Sequence, residues 1–352
     1  MRLALTIKSS IHDYAVDEVG DLAASLSADF DPAADFIIAD HRVAGHFPPG
    51  LLPPERSCLI DASEEAKSYL AIGPVIQRVL EAGFQRRSTL VVIGGGVVQD
   101  IGCFIASNLM RGVRWIYYPT TLLAQCDSCI GAKSSVNIDR FKNQLGTFYP
   151  PHAVRMYFPF LDTLPQGDRL SGLGEAIKLH LIAGEAEFQN LSALMPRLEG
   201  EWSVIEQVIA SSLRIKQRYI EEDEFDRGVR NLLNYGHTFA HAYESATHYA
   251  IPHGVAVTMG VASATWLSEQ LEFVPAGSFA ALVPVLRPFY ADFLAVLRSS
   301  SPGMVLAAMK LDKKNTGAGV TFILTRGPGK MFKHSLSLET ISPALPAIFH
   351  DL

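Results

Sequence analysis

The clearest indication of the fold comes from residues 89–110. This stretch reads Thr-Leu-Val-Val-Ile, then Gly94-Gly-Gly-Val-Val-Gln-Asp100, then Ile-Gly-Cys-Phe-Ile-Ala-Ser-Asn-Leu-Met. The first run predicts a buried strand and the last an apolar helix. Glycines at such a junction let backbone amides approach a phosphate at the positive end of the helix. The order favours a nucleotide-binding loop, but a tight turn is also compatible with it, and the spacing is not the G-x-G-x-x-G of the commonest dinucleotide fold.

Strand-like and helical stretches alternate on both sides of this loop. Strands are predicted near residues 35–38 and 115–118, with a helix over 63–82 between them, and this rhythm indicates βαβ units and a parallel sheet. Beyond about Pro165 the pattern is helical, with helices predicted over 170–182, 202–219 and 232–247. We therefore expect an α/β N-terminal, dinucleotide-binding domain with a parallel sheet in residues 1–160. A mainly α-helical C-terminal domain that binds metal and substrate is expected in residues 161–352.

The composition limits the class of protein. The chain has 352 residues, 48% of them hydrophobic, and a formal net charge of -6, which suits two domains and argues against a nucleic-acid partner. No run approaches the roughly 18 apolar residues that span a membrane, and the first residues do not read as a secretory signal, so we expect a cytoplasmic protein. Cys126 and Cys129 are compatible with a redox pair or half a zinc site, but no second cysteine pair completes such a site.

Histidines and one carboxylate suggest a metal site. His237 and His241 are four residues apart and share a helix face, and His253 follows in an Ile-Pro-His-Gly turn. That spacing suits a metal ion and equally a packed helix interface. Glu175 and Lys178 lie in an otherwise apolar helix, where burial is costly unless each is paired or coordinated. One carboxylate and two imidazoles leave open positions on a zinc-like ion, so Glu175, His237 and His253 form a coherent set and His241 is left to bind substrate.

Cationic side chains recur in several segments. Lys133 and Lys142 lie in the polar region 127–143, Lys216 and Arg230 follow, and Asp-Lys-Lys-Asn occupies 312–315. Scattered lysines usually mark a solvated face. Here they stand beside glycines and apolar residues, which favours a pocket for a ligand with a phosphate, a carboxylate or both.

A series of motifs occurs in order from residue 94 to 315: GGGVVQD, RGVRWIYYPTTLLAQCDS, GAKSSVN, FKNQLG, SGLGEAIK, RNLLNYGHTFAH, Pro-His-Gly and LDKKN. Together they closely resemble the 3-dehydroquinate synthase family of sugar-phosphate cyclases. The resemblance implies a lyase of the shikimate pathway that converts the seven-carbon keto acid phosphate DAHP into 3-dehydroquinate and eliminates phosphate. It also implies NAD used catalytically, a divalent metal ion (zinc or cobalt) and a homodimer.

The resemblance also implies roles for individual residues. The metal ligands are Glu175, His237 and His253. NAD is held by Asp40, Glu64, Lys67, Gly95, Gly96, Asp100, Thr120, Thr121, Lys133, Lys142 and Thr163. The substrate phosphate is bound by Lys133, Asn143, Asn234, His241 and either Lys313 or Lys314, with Arg111 from the other subunit. The substrate carboxylate is met by Lys216 and Arg230, and the hydroxyl groups and metal-bound water are oriented by Asp127, Lys142 and Lys178.

Three motifs depart from the family pattern. Gly-Gly-Lys-Thr-Gly becomes 131–135 Gly-Ala-Lys-Ser-Ser, Val-Asp-Ser-Ser becomes 126–129 Cys-Asp-Ser-Cys, and His-Gly-Glu becomes 253–255 His-Gly-Val. The last change removes a carboxylate that would orient a metal ligand. These departures leave open a specialised cyclase that makes an aminodehydroquinate, a valiolone-type cyclitol or a deoxyinosose. A metal-dependent polyol or glycerol dehydrogenase is a more remote alternative. A substrate without a carboxylate gives Lys216 and Arg230 no partner, so we expect DAHP.

Overall fold

The computed structural model describes residues 3–139, 141–198, 200–311 and 319–352. These residues divide into two compact units. The first comprises Met1–Leu164 and Gln217–Phe225, and the second Pro165–Lys216 and Asp226–Leu352.

The first unit is built on a seven-stranded sheet with the order β1-β2-β9-β6-β5-β3-β4. β1 is antiparallel to β2, and every other neighbouring pair is parallel. The predicted parallel sheet is therefore confirmed. Its strands are β1 Ala4–Ile7, β2 Tyr14–Glu18, β3 Phe36–Asp40, β4 Ser57–Ile60, β5 Thr89–Gly94, β6 Arg114–Pro119 and β9 Ala153–Met156. A separate hairpin pairs β7 Val136–Ile138 with β8 Phe141–Leu145.

Burial of the central strands explains their composition. All of β3 and β5 is buried, as a parallel strand covered on both faces requires, and each contains a continuous apolar run, at 36–39 and 90–93. The covering helices are α1 Leu22–Asp29, α2 Tyr69–Glu81 and α3 Gly96–Asn108. The helix predicted over 63–82 is wrong in its first part. A 3₁₀ turn, Glu64–Lys67, comes first, and α2 starts only after Ser68, whose extended backbone and side chain cap the helix through Ala71 N.

The parallel register brings several strand ends to one edge of the sheet. Ala39 pairs with Ile93, and Ile93 pairs with Tyr118, so the last residue of β3, Asp40, lies level with the ends of β5 and β6, which Gly95 and Thr120 follow. Ligands of open parallel sheets bind beyond the carboxyl ends of the strands. This edge is therefore where a dinucleotide is expected.

The second unit is mainly helical, as predicted, with one hairpin. Its helices are α4 Gln166–Ala183, α5 Glu185–Leu194, α6 Trp202–Glu222, α7 His237–Ala246, α8 His253–Gln270, α9 Ser278–Leu286, α10 Leu294–Ser299, α11 Pro302–Leu311, α12 Leu338–Ile341 and α13 Leu345–Asp351. Its hairpin joins β10 Gly319–Thr325 and β11 Met331–Ser337. Residues 254–268 of α8 are all buried, so α8 is the central helix of this unit.

The end of α6 is an exception to the domain assignment predicted from the sequence. Gln217–Phe225 lies in the 161–352 segment but belongs to the first unit. Its side chains explain why: Gln217 donates to Thr6 O at 3.0 Å, and Glu221 and Glu224 accept hydrogen bonds from the backbone of Lys8 and Ser10.

Among the residues described above, no single helix has both the length and the apolar character to cross a membrane. By length and composition alone, one bent pair, Ser278–Phe289 with Ala291–Ser299, meets the same test.

Candidate active site

The second unit brings the three predicted metal ligands together. Glu175 lies in α4, His237 begins α7 and His253 begins α8, and their ligand atoms lie within 4.8 Å of one another. Glu175 Oε1 is 3.1 Å from His253 Nε2 and 3.7 Å from His237 Nε2. A tetrahedral zinc ion with ligand bonds of about 2.1 Å separates its ligand atoms by about 3.4 Å. The donor set and its spacing therefore fit a divalent ion with open coordination positions.

Glycines explain why these ligands meet. A Cβ atom at Gly174 would lie 2.0 Å from Gly254 O, and one at Gly254 would lie 1.7 Å from Ser171 O, so α4 and α8 touch through their backbones. A Cβ atom at Gly260 would lie 2.1 Å from Gly236 O, which brings the start of α7 equally close to α8. Glu175, His237 and His253 each adjoin one of these glycines in the chain.

The carboxylate of Glu244 completes the surroundings of His253. Glu244 Oε1 is 3.1 Å from His253 Nδ1, on the opposite side of the ring from Glu175. Burial by itself lowers the pKa of His253, but the carboxylates of Glu244 and Glu175 outweigh it and raise that pKa to about 10. A carboxylate on Nδ1 directs the Nε2 lone pair of a histidine toward a metal ion. Sequence reasoning missed Glu244, although His237, His241 and Glu244 follow the i, i+4, i+7 spacing of one helix face.

The second unit also contains further polar residues for which a substrate contact is predicted. Lys178 is 3% exposed and forms an ion pair with Glu175. Lys216 and Arg230 are also buried cations, at 8% and 3% exposure. The His241 ring lies one turn after His237, with ring centroids 5.5 Å apart. Three buried cations, Lys178, Lys216 and Arg230, are thus part of this unit.

In the first unit, the glycine loop has the geometry of a phosphate site. α3 begins at Gly96 with Gly95 as its N-cap and no side chain capping it. A Cβ atom at Gly95 would lie 2.7 Å from Thr121 Cγ2, so only glycine allows the loop to approach Thr121. Uncapped amides at the N-terminus of a 13-residue helix suit a pyrophosphate, and the residues therefore fit a dinucleotide.

One polar network joins several predicted cofactor residues. Lys67 Nζ is 2.9 Å from Asp100 Oδ2 and 3.1 Å from Ser135 Oγ, and Ser135 N donates to Asp100 Oδ1 at 2.9 Å. Burial raises the pKa of Asp100 above its ordinary value, and Lys67 and Ser135 offset only part of that effect. The Ser135 side chain, which replaces a family glycine, is part of this network.

A neighbouring network involves Asn137, which the prediction of site residues missed. Its Nδ2 donates to Glu64 Oε1 at 2.8 Å, its Oδ1 accepts from Asn143 N at 2.8 Å, and Lys142 Nζ lies 3.6 Å from Glu64. Glu64, Lys142 and Asn143 are thus brought together by a residue of the Ser-Val-Asn motif. Its signal in the sequence was the polar residue in an otherwise apolar β7 strand.

Other predicted residues make contacts of a different kind. Asp40 Oδ1 accepts from Arg42 N at 3.0 Å, and Thr163 Oγ1 is 3.0 Å from His46 Nε2. Lys133 Nζ lies 5.8 Å above the Phe148 ring. Arg111 is exposed, with a φ of 66°. Lys313 and Lys314 lie outside the described residues.

Two protein-family models match consecutive parts of the chain. The model described as 3-dehydroquinate synthase N-terminal covers residues 57–171, and that described as 3-dehydroquinate synthase C-terminal covers residues 172–315. A 3-dehydroquinate synthase of Alkaliphilus oremlandii (strain OhILAs) is 36% identical over 293 residues, which is 82% of this chain and 80% of that protein. The chain belongs to the 3-dehydroquinate synthase family. The predicted family is thereby confirmed.

Solved structures of two other synthases share the fold. A 2-deoxy-scyllo-inosose synthase complexed with carbaglucose-6-phosphate, NAD⁺ and Co²⁺ has a TM-score of 0.82 at 21% identity, with 98% of this chain and 99% of that chain covered. The 2-epi-5-epi-valiolone synthase of Streptomyces hygroscopicus subsp. jinggangensis 5008, with NAD⁺ and Zn²⁺ bound, has a TM-score of 0.81 at 24% identity, with 99% of both chains covered.

The residues that depart from the 3-dehydroquinate synthase pattern have defined surroundings in the structure. Ala132 adopts a φ of 60°, a conformation that favours the usual family glycine. Ser134 Oγ bonds with Thr147 Oγ1 at 2.9 Å, and Ser135 joins the Asp100 network. Val255 is fully buried, whereas the carboxylate next to His253 comes from Glu244. His253 therefore keeps an orienting carboxylate despite the change from Glu to Val.

Proposed function

We propose that this protein converts DAHP into 3-dehydroquinate with elimination of phosphate, using NAD catalytically and one divalent metal ion, zinc or cobalt. The observation that carries the proposal is the cluster of Glu175, His237 and His253 in a member of the 3-dehydroquinate synthase family. The two solved synthase structures that share this fold both contain NAD⁺ and a divalent ion, which supports the same pair of cofactors here.

Glu175, His237 and His253 would hold the ion, and the edge of the sheet would hold NAD through the glycine loop and the cofactor residues predicted from the sequence. When bound, the ion supplies Lewis-acid polarisation of a substrate hydroxyl group, and NAD supplies reversible oxidation of the carbon that bears this hydroxyl group. A carbonyl group at that carbon would acidify the neighbouring C–H bond. Loss of this proton would expel phosphate from the next carbon, and the protein would serve this step by binding the leaving group. Return of the hydride to the oxidised carbon, ring opening and an intramolecular aldol addition would then close the carbocycle with no net oxidation.

Different residues of the protein bind different groups of the substrate. Lys216 and Arg230 bind the carboxylate. The phosphate is bound by Lys133, Asn143, Asn234, His241 and one lysine of the 312–315 segment. The hydroxyl groups are oriented by Asp127, Lys142 and Lys178. Positive groups around a departing phosphate stabilise the charge that develops as its bond breaks.

Phosphate release by metal-loaded protein with catalytic NAD tests the activity. We expect release from DAHP and little from sedoheptulose 7-phosphate or glucose 6-phosphate. A preference for a sugar phosphate without a carboxylate would instead assign a specialised cyclase. Net accumulation of NADH with a simple polyol, without phosphate release, would assign a dehydrogenase.

The carboxylate contact has its own test. Arg230→Met is expected to lower kcat/KM for DAHP by about a hundredfold or more, because a buried carboxylate would lose a charged partner. The matched control is Arg227→Met, which replaces an exposed arginine three residues earlier and should change kcat/KM less than twofold. Equal activities of the two variants would contradict the role given to Arg230.

We also propose that the protein is a homodimer in which Arg111 acts in the site of its partner, as the family resemblance implies. Light scattering after gel filtration measures the mass, and a monomer would overturn the proposal. Mixing two inactive variants, Arg111→Ala and His237→Ala, should restore activity in mixed dimers if Arg111 acts across the interface. If Arg111 acts within its own chain, mixing should restore none.

A further inference from the structure

Gln99 makes an unusual contact in the first turn of α3. The side chain is 5% exposed, and both ends of its amide bond to one residue, Ser128. Gln99 Nε2 donates to Ser128 O at 2.6 Å, and the Ser128 hydroxyl donates to Gln99 Oε1 at 2.6 Å. A buried amide is costly unless its donor and acceptor are both used, and here one partner satisfies both.

The residue next to Ser128 is Asp127, which orients substrate hydroxyls in the proposed reaction. Asp127 and Ser128 belong to a π-helix, Ala124–Ser128, whose wide turn is closed by a bond from Cys129 N to Ala124 O at 3.0 Å. π-Helical turns are uncommon and occur frequently at functional sites. Fixing both the hydroxyl and the carbonyl of Ser128 fixes the backbone that carries Asp127.

The neighbouring residue of α3 anchors the other end of the same segment. Asp100 accepts from Ser135 N at 2.9 Å and from Ser135 Oγ at 2.8 Å. Two consecutive residues of α3 therefore hold residues 128 and 135, and Lys133 lies between these anchors. The glycine loop begins this helix, and a Cβ atom at Gly96 would be 4.0 Å from Ser128 Oγ.

We propose that Gln99 and Ser128 are a pair of positioning residues that tie Asp127 to the glycine loop, so that a dinucleotide bound at the loop orders Asp127 for the reaction. The inference rests on the proposed function for the role of Asp127. Two apolar side chains would fill the same space at similar stability, because replacing both partners of a buried hydrogen bond is often nearly neutral. Unlike two apolar side chains, the hydrogen-bonded pair holds the segment that carries Asp127 in one defined arrangement.

The test compares the unsubstituted protein with Gln99→Leu, Ser128→Ala and the double variant. Each is measured for kcat and KM in phosphate release from DAHP, for the Kd of NAD and for melting temperature. The single variants should lose about tenfold to a hundredfold in kcat, as small misplacements of reacting groups do, with the KM for DAHP and the Kd of NAD changed less than threefold. The double variant should be no slower than the slower single variant, because both changes break one contact.

Ser57→Ala is the matched control. Ser57 is 4% exposed, and its hydroxyl donates to Pro53 O at 2.8 Å in the same unit. It should lower the melting temperature about as much as Ser128→Ala and leave kcat unchanged. Gln99→Glu adds a pH readout: its activity relative to the unsubstituted protein should rise as the pH falls, because only a protonated carboxyl group can donate to Ser128 O. A kcat that stays within twofold in both single variants, or losses that multiply in the double variant, would overturn the inference.

Amide hydrogen exchange separates this inference from the proposed function. NAD should protect residues 121–131 in the unsubstituted protein, and Gln99→Leu should lose that protection while it keeps protection of residues 94–100. This readout needs no turnover. If the protein is inactive on DAHP but the protection depends on Gln99, the proposed substrate is wrong and the positioning pair stands. If NAD never protects residues 121–131, the positioning pair is wrong whatever the substrate.

Discussion

Among single residues, His253 shows that the geometry of the metal site depends on the side chains that contact a metal ligand. Its ring has a carboxylate on each nitrogen, Glu175 on Nε2 and Glu244 on Nδ1. The first carboxylate is a candidate ligand, and the second sets the direction in which the ring offers its lone pair. The metal ligand, His253, and the residue that orients it, Glu244, are therefore different residues.

Glu244→Ala should weaken zinc binding about tenfold to a hundredfold, because residues that orient metal-bound histidines contribute to affinity on this scale. Glu244→Gln should lose less, since its amide oxygen can still accept from Nδ1. Competition with a chromogenic chelator measures the Kd of the ion. The control is Glu269→Gln at the far end of α8, where the carboxylate accepts from Phe279 N. An unchanged Kd in Glu244→Ala would show that the contact does not orient His253 for metal.

His152 gives a prediction about pH. Burial, together with the nearby His12 and Arg114, lowers the pKa of His152 to about 4. The unfolded chain binds this proton near pH 6.5, so between pH 6.5 and 4 it binds more protons than the folded state, and stability falls as the pH falls. The loss should be on the order of 2 kcal/mol. Urea unfolding at pH 7 and pH 4.5 should show a smaller difference for His152→Phe, whereas an identical difference would exclude His152 as the source.

Residue types and spacing predicted much of the candidate site, and the limits of that prediction have a physical cause. Glu175 stood out because a carboxylate in an apolar helix needs a partner, and His237 and His241 because helix periodicity puts them on one face. Gln99 and Ser128 gave no such signal. They are 29 residues apart, and their contact depends on how α3 packs beside the π-helix. Local patterns carry no information on pairs of that kind.

At the scale of elements, close contact between helices determines whether the ligands can meet. Gly174 and Gly254 allow α4 and α8 to touch, and 80 residues of sequence separate them. The prediction of the helices themselves needed only apolar periodicity, and it was confirmed for α4, α6 and α7 apart from their ends. Their separation could not be predicted, because it depends on which glycine faces which backbone.

Gly174→Ala should force these helices apart, since its Cβ atom would lie 2.0 Å from Gly254 O. We expect a loss of about 2 to 4 kcal/mol in the free energy of unfolding and a large loss of zinc affinity. Gly73→Ala in α2 is the control, because nothing lies within 4 Å of the added Cβ atom. It should raise stability by up to about 1 kcal/mol without affecting zinc. Denaturant titration and metal competition measure both quantities, and equal behaviour of the two variants would contradict helix contact as the cause.

At the scale of the whole molecule, the candidate cofactor groups separate cleanly by unit. Every predicted metal ligand lies in the second unit, and every predicted NAD contact lies in the first. The sequence already suggested this division, because the βα rhythm and the helical pattern change near the same part of the chain. The sequence did not suggest that Gln217–Phe225 would join the first unit. The helical pattern of α6 is continuous and gives no indication of which unit its last turns pack against.

Each cofactor should therefore stabilise its own unit. Zinc alone is expected to slow amide exchange in 171–180, 237–244 and 253–258, and NAD alone in 94–100 and 120–135, because a ligand protects the region whose opening would release it. Exchange mass spectrometry with each cofactor in turn measures this. His237→Ala should abolish the effect of zinc and leave that of NAD. Protection of 94–135 by zinc alone would contradict the assignment.

The π-helix at Ala124–Ser128 makes the number of residues in this turn as important as their identity. A π turn contains one residue more than the α turn that would join the same ends, so it has the form of an insertion. Successive residues of an α-helix are rotated by about 100° around its axis. Loss of one codon here would swing Asp127 through about that angle and away from its present direction, even though no side chain of the site had been replaced. Alignments of such chains should therefore be read for single-residue gaps in this turn before they are read for substitutions.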